Sequence, residues 1–185
     1  EPVREATYEP VTGQYIVFAR SSGGDEADKL YRLDLPGKQV TLLTDTPERH
    51  GIEAWLHGSP RLLTSSVPLD RTAQGGTRTS VVQTLSLLDP LQPQSRVKLA
   101  DLPGSGWGVG SVSWDDKRVA LTRYVSANES QVWLLDIASG ALTQLLPAVG
   151  KTAKATYLVG DFMRDNSGLF VTSDSGGEFN ELMFY

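Results

Sequence analysis

The sequence predicts an all-β fold built from a repeated unit of several short strands. A polar turn followed by an apolar strand occurs four times, and the strands begin roughly 50 residues apart, at Tyr15, Arg61, Arg118 and Gly168. Ten prolines and eighteen glycines divide the chain into short runs rich in Val, Leu, Tyr and Thr. A repeat near 50 residues with several strands per copy is typical of β-propeller blades. We therefore predict a partial β-propeller, with about three complete four-stranded blades and part of a fourth.

The first blade sets the pattern for a single predicted domain, residues 1–185, with blades over about 6–45, 51–102, 107–147 and 157–185. Its strands are expected at Tyr15–Arg20, Lys29–Asp34 and Val40–Thr44. Turns are expected at Ser21–Asp25 and Leu35–Lys38, and the second of these contains Pro-Gly. Pro presets φ at one turn position and Gly permits a positive φ at the next, so this dipeptide suits a type II turn.

The second blade is longer than the others because of one connection. Its strands are predicted at Ile52–Leu56, Arg61–Val67, Val81–Leu88 and Val97–Leu99. Between the second and third of these, Pro68–Ser80 is the longest polar stretch of the chain. A hairpin needs only two to five residues at this point. The insertion explains the wider spacing of the repeat here. Loops of this kind often carry binding residues, although flexible decoration is commoner.

The third and fourth blades follow the same order of elements. The third is predicted to contain strands at Ser111–Trp114, Arg118–Tyr124, Gln131–Ile137 and Leu142–Leu145. The fourth is predicted to contain strands at Tyr157–Met163, Gly168–Ser173 and Leu182–Tyr185. We interpret the glycine-rich stretch Gly104–Gly110 as a pliable crossover between blades. Trp107 either anchors it in the core or lines the propeller channel, and the anchor is favoured because buried aromatic side chains dominate cores.

Three strands end in the same residue type. Leu30–Asp34, Leu85–Asp89 and Val132–Asp136 are copies of one strand, and each has Asp as its last residue. An Asp at a strand end can accept hydrogen bonds from backbone N–H groups of the following turn. We therefore interpret Asp34, Asp89 and Asp136 as structural turn residues.

Composition excludes several functional classes. Hydrophobic residues make up 39% and charged residues 21% of the 185, which is typical of a globular chain. The net charge is −5, whereas nucleic-acid binding needs a clustered basic face, so no nucleic-acid partner is expected. No apolar run approaches the roughly 20 residues that span a bilayer, so no membrane span is expected. The chain has no cysteine, which excludes disulfides and thiolate chemistry.

Two stretches resemble a known family. Ser113–Leu121 reads Ser-Trp-Asp-Asp-Lys-Arg-Val-Ala-Leu and resembles the Ser-Pro-Asp-Gly-Lys phrase of TolB-type propeller repeats. Such repeats also build the N-terminal propeller of the prolyl oligopeptidase family of serine peptidases. Thr172–Leu182 is similar to the Asp-x-x-x-Glu-Phe-x-x-Leu phrase of bacterial dipeptidyl-peptidase-like and acylaminoacyl-peptidase-like members. Trp114 and Asp116 depart from the repeat phrase, since they replace its usual Pro and Gly.

The resemblance implies a propeller that covers a separate α/β-hydrolase domain carrying a Ser-Asp-His triad. No window of the chain reads Gly-x-Ser-x-Gly, the phrase of a nucleophile elbow, so no catalytic residue is assigned. The implied function is to gate the access of peptides to the active site of that hydrolase domain. Glu178 and Glu181 are the candidate substrate-channel residues, because acidic groups there would attract a peptide amine. The repeat favours a turn role instead, since Asp25 stands at the corresponding position of the first blade.

Two alternative functions stay open. The chain could belong to a TolB-like periplasmic propeller that acts as a scaffold for a protein partner. It could also belong to a propeller lyase acting on acidic sugars, which would require His50 and His57 to converge. Their spacing does not match a helical zinc motif, and on an alternating strand they would point to opposite faces. No metal and no cofactor are therefore predicted.

The chain is interpreted as a piece of a longer protein, because it begins with Glu1-Pro2 already inside a folded-looking phrase. A propeller with part of its fourth blade would leave an open strand edge, and open edges favour pairing with another chain. Self-association through this edge is therefore predicted. The resemblance implies a periplasmic or secreted location, with the cytoplasm as the alternative.

Overall fold

The fold consists of short antiparallel strands. The structure is a computed structural model that describes residues 2–21, 27–69, 82–150 and 154–185. These residues contain fifteen β-strands and one 3-10 turn, Pro93–Ser95, and no α-helix. The predicted turn at Ser21–Asp25 and the long connection Pro68–Ser80 lie largely outside the described residues. The chain divides into two compact units, residues 1–104 and 105–185, and each is described by itself.

The first unit contains two four-stranded sheets in which neighbouring strands follow chain order. Sheet I consists of β1 (Val3–Tyr8), β2 (Tyr15–Arg20), β3 (Lys29–Asp34) and β4 (Gln39–Leu42). Sheet II consists of β5 (Glu48–Trp55), β6 (Leu62–Pro68), β7 (Val82–Leu88) and β8 (Val97–Pro103). Each sheet is an antiparallel meander, because each strand pairs with the next one along the chain.

The second unit repeats this arrangement once in full and once in part. Sheet III consists of β9 (Trp107–Val112), β10 (Arg118–Ser126), β11 (Glu129–Asp136) and β12 (Leu142–Leu146). Sheet IV consists of β13 (Tyr157–Phe162), β14 (Leu169–Ser173) and β15 (Glu181–Phe184). Three four-stranded meanders and one three-stranded meander confirm the predicted all-β class and the partial propeller.

A separate apolar core lies between the two sheets of each unit. In the first unit it contains Tyr15, Val17, Ala19, Leu30, Leu43, Leu62 and Leu88. In the second it contains Ala120, Val132, Leu146, Ala155, Tyr157, Phe162, Leu169 and Val171. The central strands supply much of each core: Val17 and Ala19 of β2 and Leu62 of β6 belong to the first, and Leu169 and Val171 of β14 belong to the second. Burial of these side chains is the main term that holds the sheets together.

Polar contacts also join neighbouring sheets within each unit. In the first unit, Arg32 Nη1 donates to the carbonyl of Pro90 at 2.6 Å, and Trp55 Nε1 donates to Thr7 Oγ1 at 3.0 Å. In the second unit, Arg118 Nη2 donates to the carbonyl of Asn166 at 3.1 Å. These bonds satisfy polar groups at sheet ends and fix the register of one sheet against the next.

Several strands differ from the sequence prediction: β5 begins at Glu48 rather than Ile52 and β8 ends at Pro103 rather than Leu99, and two further differences have a structural reason. β1 was not predicted, because its alternating residues are mostly exposed or half-buried and lack an apolar run. The first strand of sheet III was predicted at Ser111–Trp114 but spans Trp107–Val112, so most of the expected glycine-rich crossover is a strand. Gly110 explains this difference, since a Cβ atom there would lie 2.3 Å from the side chain of Val159 on β13. The glycine therefore allows β9 and β13 to approach each other closely, and it does not indicate a flexible segment.

Two of the three strand-ending Asp residues behave as predicted, whereas the type II turn predicted at Pro36-Gly37 is wrong, because the residue with a positive φ is Lys38, at 51°, and not Gly37. Asp136 Oδ1 accepts a hydrogen bond from the Ser139 N–H at 2.8 Å, and Asp89 Oδ1 accepts one from the Leu91 N–H at 2.8 Å. Asp34 differs, because its carboxylate is paired with the Arg32 guanidinium at 2.9 Å. Trp107 is 9% exposed and packs edge-on against Trp133, which agrees with its predicted anchoring role.

Candidate functional site

The candidate site lies in the second unit, at the turn between β14 and β15. Glu178 lies in this turn and Glu181 begins β15, opposite Ser173 of β14. Both side chains are exposed, and neither has an ion-pair partner among the described residues. The structure thus leaves both carboxylates available to solvent. Their assignment to a substrate channel stays a prediction.

Asp174 fixes the start of this turn to the neighbouring strand. Its Oδ1 accepts a hydrogen bond from the backbone N–H of Thr156, just before β13, at 2.6 Å. The carbonyl of Asp174 accepts a second bond, from Gly177 N–H, at 3.2 Å. Ser173 Oγ accepts a third, from Ser175 N–H, at 3.0 Å. The turn that presents Glu178 is therefore tied to sheet IV at its base.

A cavity of about 430 Å³ opens beside this turn, between sheets III and IV. Its lining residues are Thr122, Tyr124, Ser126, Ala127, Ser130, Thr156, Leu158, Asp174 and Asn180. Ser130 lies at its inner side, 3% exposed, where its hydroxyl donates to the Tyr157 carbonyl at 2.7 Å and accepts from the Tyr157 N–H at 2.6 Å. These two hydrogen bonds hold sheets III and IV at a fixed spacing, so the cavity between them has a defined shape.

Exposed apolar side chains occur on and near the rim of this cavity. Tyr124 is 59% exposed and Leu158 is 54% exposed, and both line the cavity. Phe179, in the same turn as Glu178, is 80% exposed. Exposed apolar groups rimmed by polar ones are typical of surfaces that bind another molecule. The turn therefore combines free carboxylates with apolar contact area, which suits a ligand with an amine and an apolar side chain.

Sequence reasoning identified the two glutamates but missed the cavity. Tyr124 lies on β10 and Leu158 on β13, and their approach depends on the packing of two sheets. An apolar residue on a strand gives no sequence signal that distinguishes the exposed rim from the core. Asp174 could have been identified, because it follows β14 directly and a strand-ending Asp is the repeated feature of this chain.

The two histidines do not form a site. His50 lies within β5 and its side chain is fully buried, whereas His57 is exposed in the turn that follows this strand. A strand rises roughly 3.3 Å per residue, so seven residues separate the two by on the order of 20 Å. Across residues 2–21, 27–69, 82–150 and 154–185, no three metal-ligating side chains come together. His50 and His57 therefore do not converge, as a propeller lyase would require.

Comparison with known proteins shows likeness at the level of the fold. No family model and no curated protein matches the sequence. The structure is similar to that of a prolyl endopeptidase, with a TM-score of 0.69 and 14% identity, over 97% of this chain and 26% of that one. It is also similar to oligogalacturonate lyase from Vibrio parahaemolyticus, with a TM-score of 0.65 and 14% identity, over 96% and 47% of the two chains.

A third similar structure is TolB from Acinetobacter baumannii, with a TM-score of 0.58 and 16% identity, over 94% of this chain and 39% of that one. The resemblance to TolB-type and peptidase propellers that the repeats predicted is thereby confirmed for the fold. This chain spans less than half the length of each of the three proteins. At these identities the likeness carries the fold and no activity. The described residues contain no helix that could span a bilayer.

Proposed function

We propose that this chain is a non-catalytic propeller segment that gates the access of peptides to the active site of a serine peptidase of the prolyl oligopeptidase type. The propeller selects by access, since a wall of packed sheets excludes folded proteins and admits short or extended peptides. Three observations support this proposal: the likeness to a prolyl endopeptidase, the Glu178-Phe179 phrase, and a sequence without a Gly-x-Ser-x-Gly elbow. The peptide would reach a hydrolase domain elsewhere in the parent protein.

The observation that carries the proposal is the exposed turn beside the cavity of the second unit. Glu178 and Glu181 present exposed carboxylates that pair with no cation among the described residues, and Phe179 presents an exposed aromatic ring. The N-terminal amine of a peptide is positively charged below its pKa of about 8, so these carboxylates attract it. The apolar rim formed by Tyr124 and Leu158 supplies contact for its first side chains. Because the carboxylates are exposed, dissolved salt screens their attraction for the amine. The carboxylates therefore guide the peptide toward the turn and do not bind it tightly.

The test compares peptides that differ only in this amine. Binding of a short apolar peptide to the chain is followed by NMR chemical-shift changes, with and without N-acetylation. We expect changes at the turn that weaken on acetylation and in the double variant Glu178→Gln, Glu181→Gln. Asp45→Asn is the matched control, because Asp45 is an exposed carboxylate of the first unit. Equal shifts with both peptides, or an effect of the control as large as that of the double variant, would refute the amine contact.

The chain by itself should also hydrolyse no aminoacyl-nitroanilide substrate, since no nucleophile elbow occurs in it. Turnover by the purified chain would overturn the assignment as a non-catalytic segment. The parent protein offers a second check. A Gly-x-Ser-x-Gly phrase some hundreds of residues after Tyr185 would support the peptidase.

A second candidate function is a TolB-like periplasmic propeller that binds a protein partner. The observation in its favour is the outer strand of sheet IV, where Leu182 is 69% exposed and Phe184 is 58% exposed. An exposed apolar edge strand is a template for pairing with another chain, including a second copy of this one. A reading frame that ends a few blades after Tyr185, without a nucleophile elbow, would favour this scaffold.

The likeness to TolB supports a periplasmic or secreted location for the parent protein, with the cytoplasm as the alternative. Fractionation of cells that express the parent gene tests this directly. Recovery of the protein in the periplasmic fraction supports the proposed location, and recovery in the cytoplasmic fraction favours the alternative.

A further inference from the structure

We propose that the cavity between sheets III and IV receives a lysine side chain from the first two residues of a bound peptide. The proposal rests on the proposed function, since it takes a peptide as the ligand, and it adds which side chain the site selects. Of the nine described residues that line the cavity, one carries a carboxylate, Asp174, and none is Lys, Arg or His. Apolar walls with a single acidic group suit a side chain that is apolar along its length and positively charged at its end.

Asp174 is positioned by one hydrogen bond and keeps capacity for a cation. Its Oδ1 accepts the Thr156 N–H at 2.6 Å, which fixes the carboxylate at the end of β14. No ion pair among the described residues includes Asp174. The two oxygens of a carboxylate can accept about four hydrogen bonds in all. An ammonium group is a compact charge that needs one free oxygen, whereas a guanidinium binds best to both oxygens at once, so the site favours lysine over arginine.

The walls of the cavity offer apolar contact to the methylene groups of lysine. Tyr124 of β10 is 59% exposed and Leu158 of β13 is 54% exposed, and Ala127 lies in the turn between β10 and β11. The face of a tyrosine ring also attracts an ammonium group. Norleucine has the same apolar chain as lysine but no charge. Apolar contact alone would therefore hold both side chains equally, and the charge distinguishes them.

The charges around the cavity also favour a cation. The two glutamates of the adjacent turn are exposed and add negative charge. Two basic side chains of the same unit have other partners, since Lys154 pairs with Glu129 at 3.2 Å and Arg123 lies over the Trp107 ring at 5.3 Å. An acidic peptide side chain would meet like charge here. Affinity should therefore decrease from Lys to norleucine to Glu.

The test is an NMR titration of the chain with four peptides that end in Ala-Ala and begin with two copies of Lys, Arg, norleucine or Glu. The amide signals of Thr156, Leu158 and Asn180 report binding at the cavity. We expect the Lys peptide to bind about fivefold more tightly than the norleucine peptide, as one partly exposed ion pair allows. Equal affinities of these two peptides, or tighter binding of the Arg or Glu peptide than of the Lys peptide, would overturn the proposal.

Variants separate the cavity from the acidic turn. Asp174→Asn removes the charge but keeps an oxygen for the Thr156 N–H, so we expect it to bind the Lys and norleucine peptides equally. Asp165→Asn is the matched control, because Asp165 is an exposed turn carboxylate of the same sheet that also accepts a backbone N–H, at 3.0 Å. The preference for Lys should persist in this control. A preference that survives Asp174→Asn but disappears in Glu178→Gln, Glu181→Gln would place the lysine at the turn and overturn the proposal.

Acetylated copies of the same peptides separate this inference from the amine contact proposed above. Acetylation removes the N-terminal charge and leaves the lysine side chain unchanged. A preference for Lys that persists after acetylation supports the cavity, even where acetylation leaves the affinity unchanged and the amine contact is thereby refuted. If acetylation weakens binding but the Lys and norleucine peptides bind equally, the amine contact stands and the lysine site is overturned.

A second measurement covers the case in which Asp174→Asn does not fold. Nuclear Overhauser effects between the lysine Hε protons and the Leu158 methyl groups are then sought in the unaltered chain. Their presence supports a lysine side chain in the cavity, and their absence overturns the proposal.

Discussion

His50 provides the sharpest test of how the first unit is packed. Its side chain is fully buried on β5, where Nε2 lies 2.8 Å from Thr46 Oγ1 and 3.9 Å from Glu48 Oε2. Burial is the main cause that lowers the pKa of His50 to about 4; the nearby Arg96 and Lys29 charges contribute to the lowering, and Glu48 opposes it. In addition, Nδ1 is buried, and none of the described residues forms a hydrogen bond with it. The folded chain therefore holds this imidazole neutral.

The sign of the pH dependence follows from the lowered pKa of His50. The unfolded chain binds a proton at His50 with a pKa of about 6.5, whereas the folded chain does so only near 4. Between these values the unfolded state carries more protons, so acid favours unfolding. The stability contribution of the neutral imidazole is complete above pH 6.5 and is lost as the pH falls through 4.

The magnitude follows from the same two pKa values of His50. One pKa unit corresponds to about 1.4 kcal/mol, so complete loss amounts to about 3 kcal/mol below pH 4. At pH 5 the loss relative to pH 8 is about 2 kcal/mol. Glu53 acts in the opposite direction, because burial raises the pKa of its carboxyl. Its contribution is complete below the unfolded pKa and is lost as the pH rises through the folded pKa, so it offsets part of the His50 effect.

The assay is urea unfolding at pH 8 and at pH 5, followed by the fluorescence of the four tryptophans. His50→Gln removes the titrating group. Between pH 8 and pH 5, the free energy of unfolding of this variant should therefore fall by about 2 kcal/mol less than that of the unaltered chain. His57→Gln is the control, because His57 is exposed. Equal acid losses in the unaltered chain and in His50→Gln would refute the reasoning. If His50→Gln does not fold, an NMR titration that shows the His50 imidazole charged at pH 5.5 would refute it as well.

Three further predictions concern the second unit. Gly110→Ala should lower the free energy of unfolding by about 2 kcal/mol, because its Cβ would clash with Val159, whereas Gly108→Ala should cost little, since no atom lies within 4 Å of the corresponding position. Equal losses measured by urea unfolding would contradict this. Asp116 has a φ of 56°, the region that Gly adopts freely, so Asp116→Val should cost about 1–2 kcal/mol in thermal unfolding and Asp116→Gly less than about 0.5 kcal/mol. Similar melting curves would count against a strained turn. Leu182→Pro removes a backbone N–H of β15 that points away from β14, so it should reduce self-association measured by light scattering. If the unaltered chain is strictly monomeric, the prediction of an open strand edge is contradicted.

The sequence predicted strands best where one residue pattern decided the structure. Tyr15–Arg20 and Lys29–Asp34 were predicted with the bounds observed. β-Branched and aromatic residues fill the first strand, the second recurs as a copy at Leu85–Asp89 and Val132–Asp136, and turn residues flank both. The strand at Trp107–Val112 was predicted wrongly in its bounds because glycines normally indicate loops. Here they serve close packing between β9 and β13, a tertiary effect that no local pattern reveals.

The candidate sites were predicted only in part, for a related reason. Glu178 was identified because the repeat and the resemblance both place it in a turn, and the structure leaves it exposed there. The cavity beside the turn depends on groups brought together by packing of distant strands. Tyr124 lies on β10 and Ser130 on β11 of sheet III, whereas Leu158 lies on β13 of sheet IV. A lone serine or tyrosine in a strand predicts nothing about its neighbours across the sheet.

The contact of Gly110 with β13 has a consequence for how this protein can diverge. The Val159 methyl groups occupy the space that a side chain at position 110 would need, so the two positions share one fixed volume. A gain of bulk at one is tolerated only with a loss at the other, as in Gly110→Ala combined with Val159→Ala. In related sequences the residues at positions 110 and 159 should therefore change together. Such covariation would identify the contact between β9 and β13.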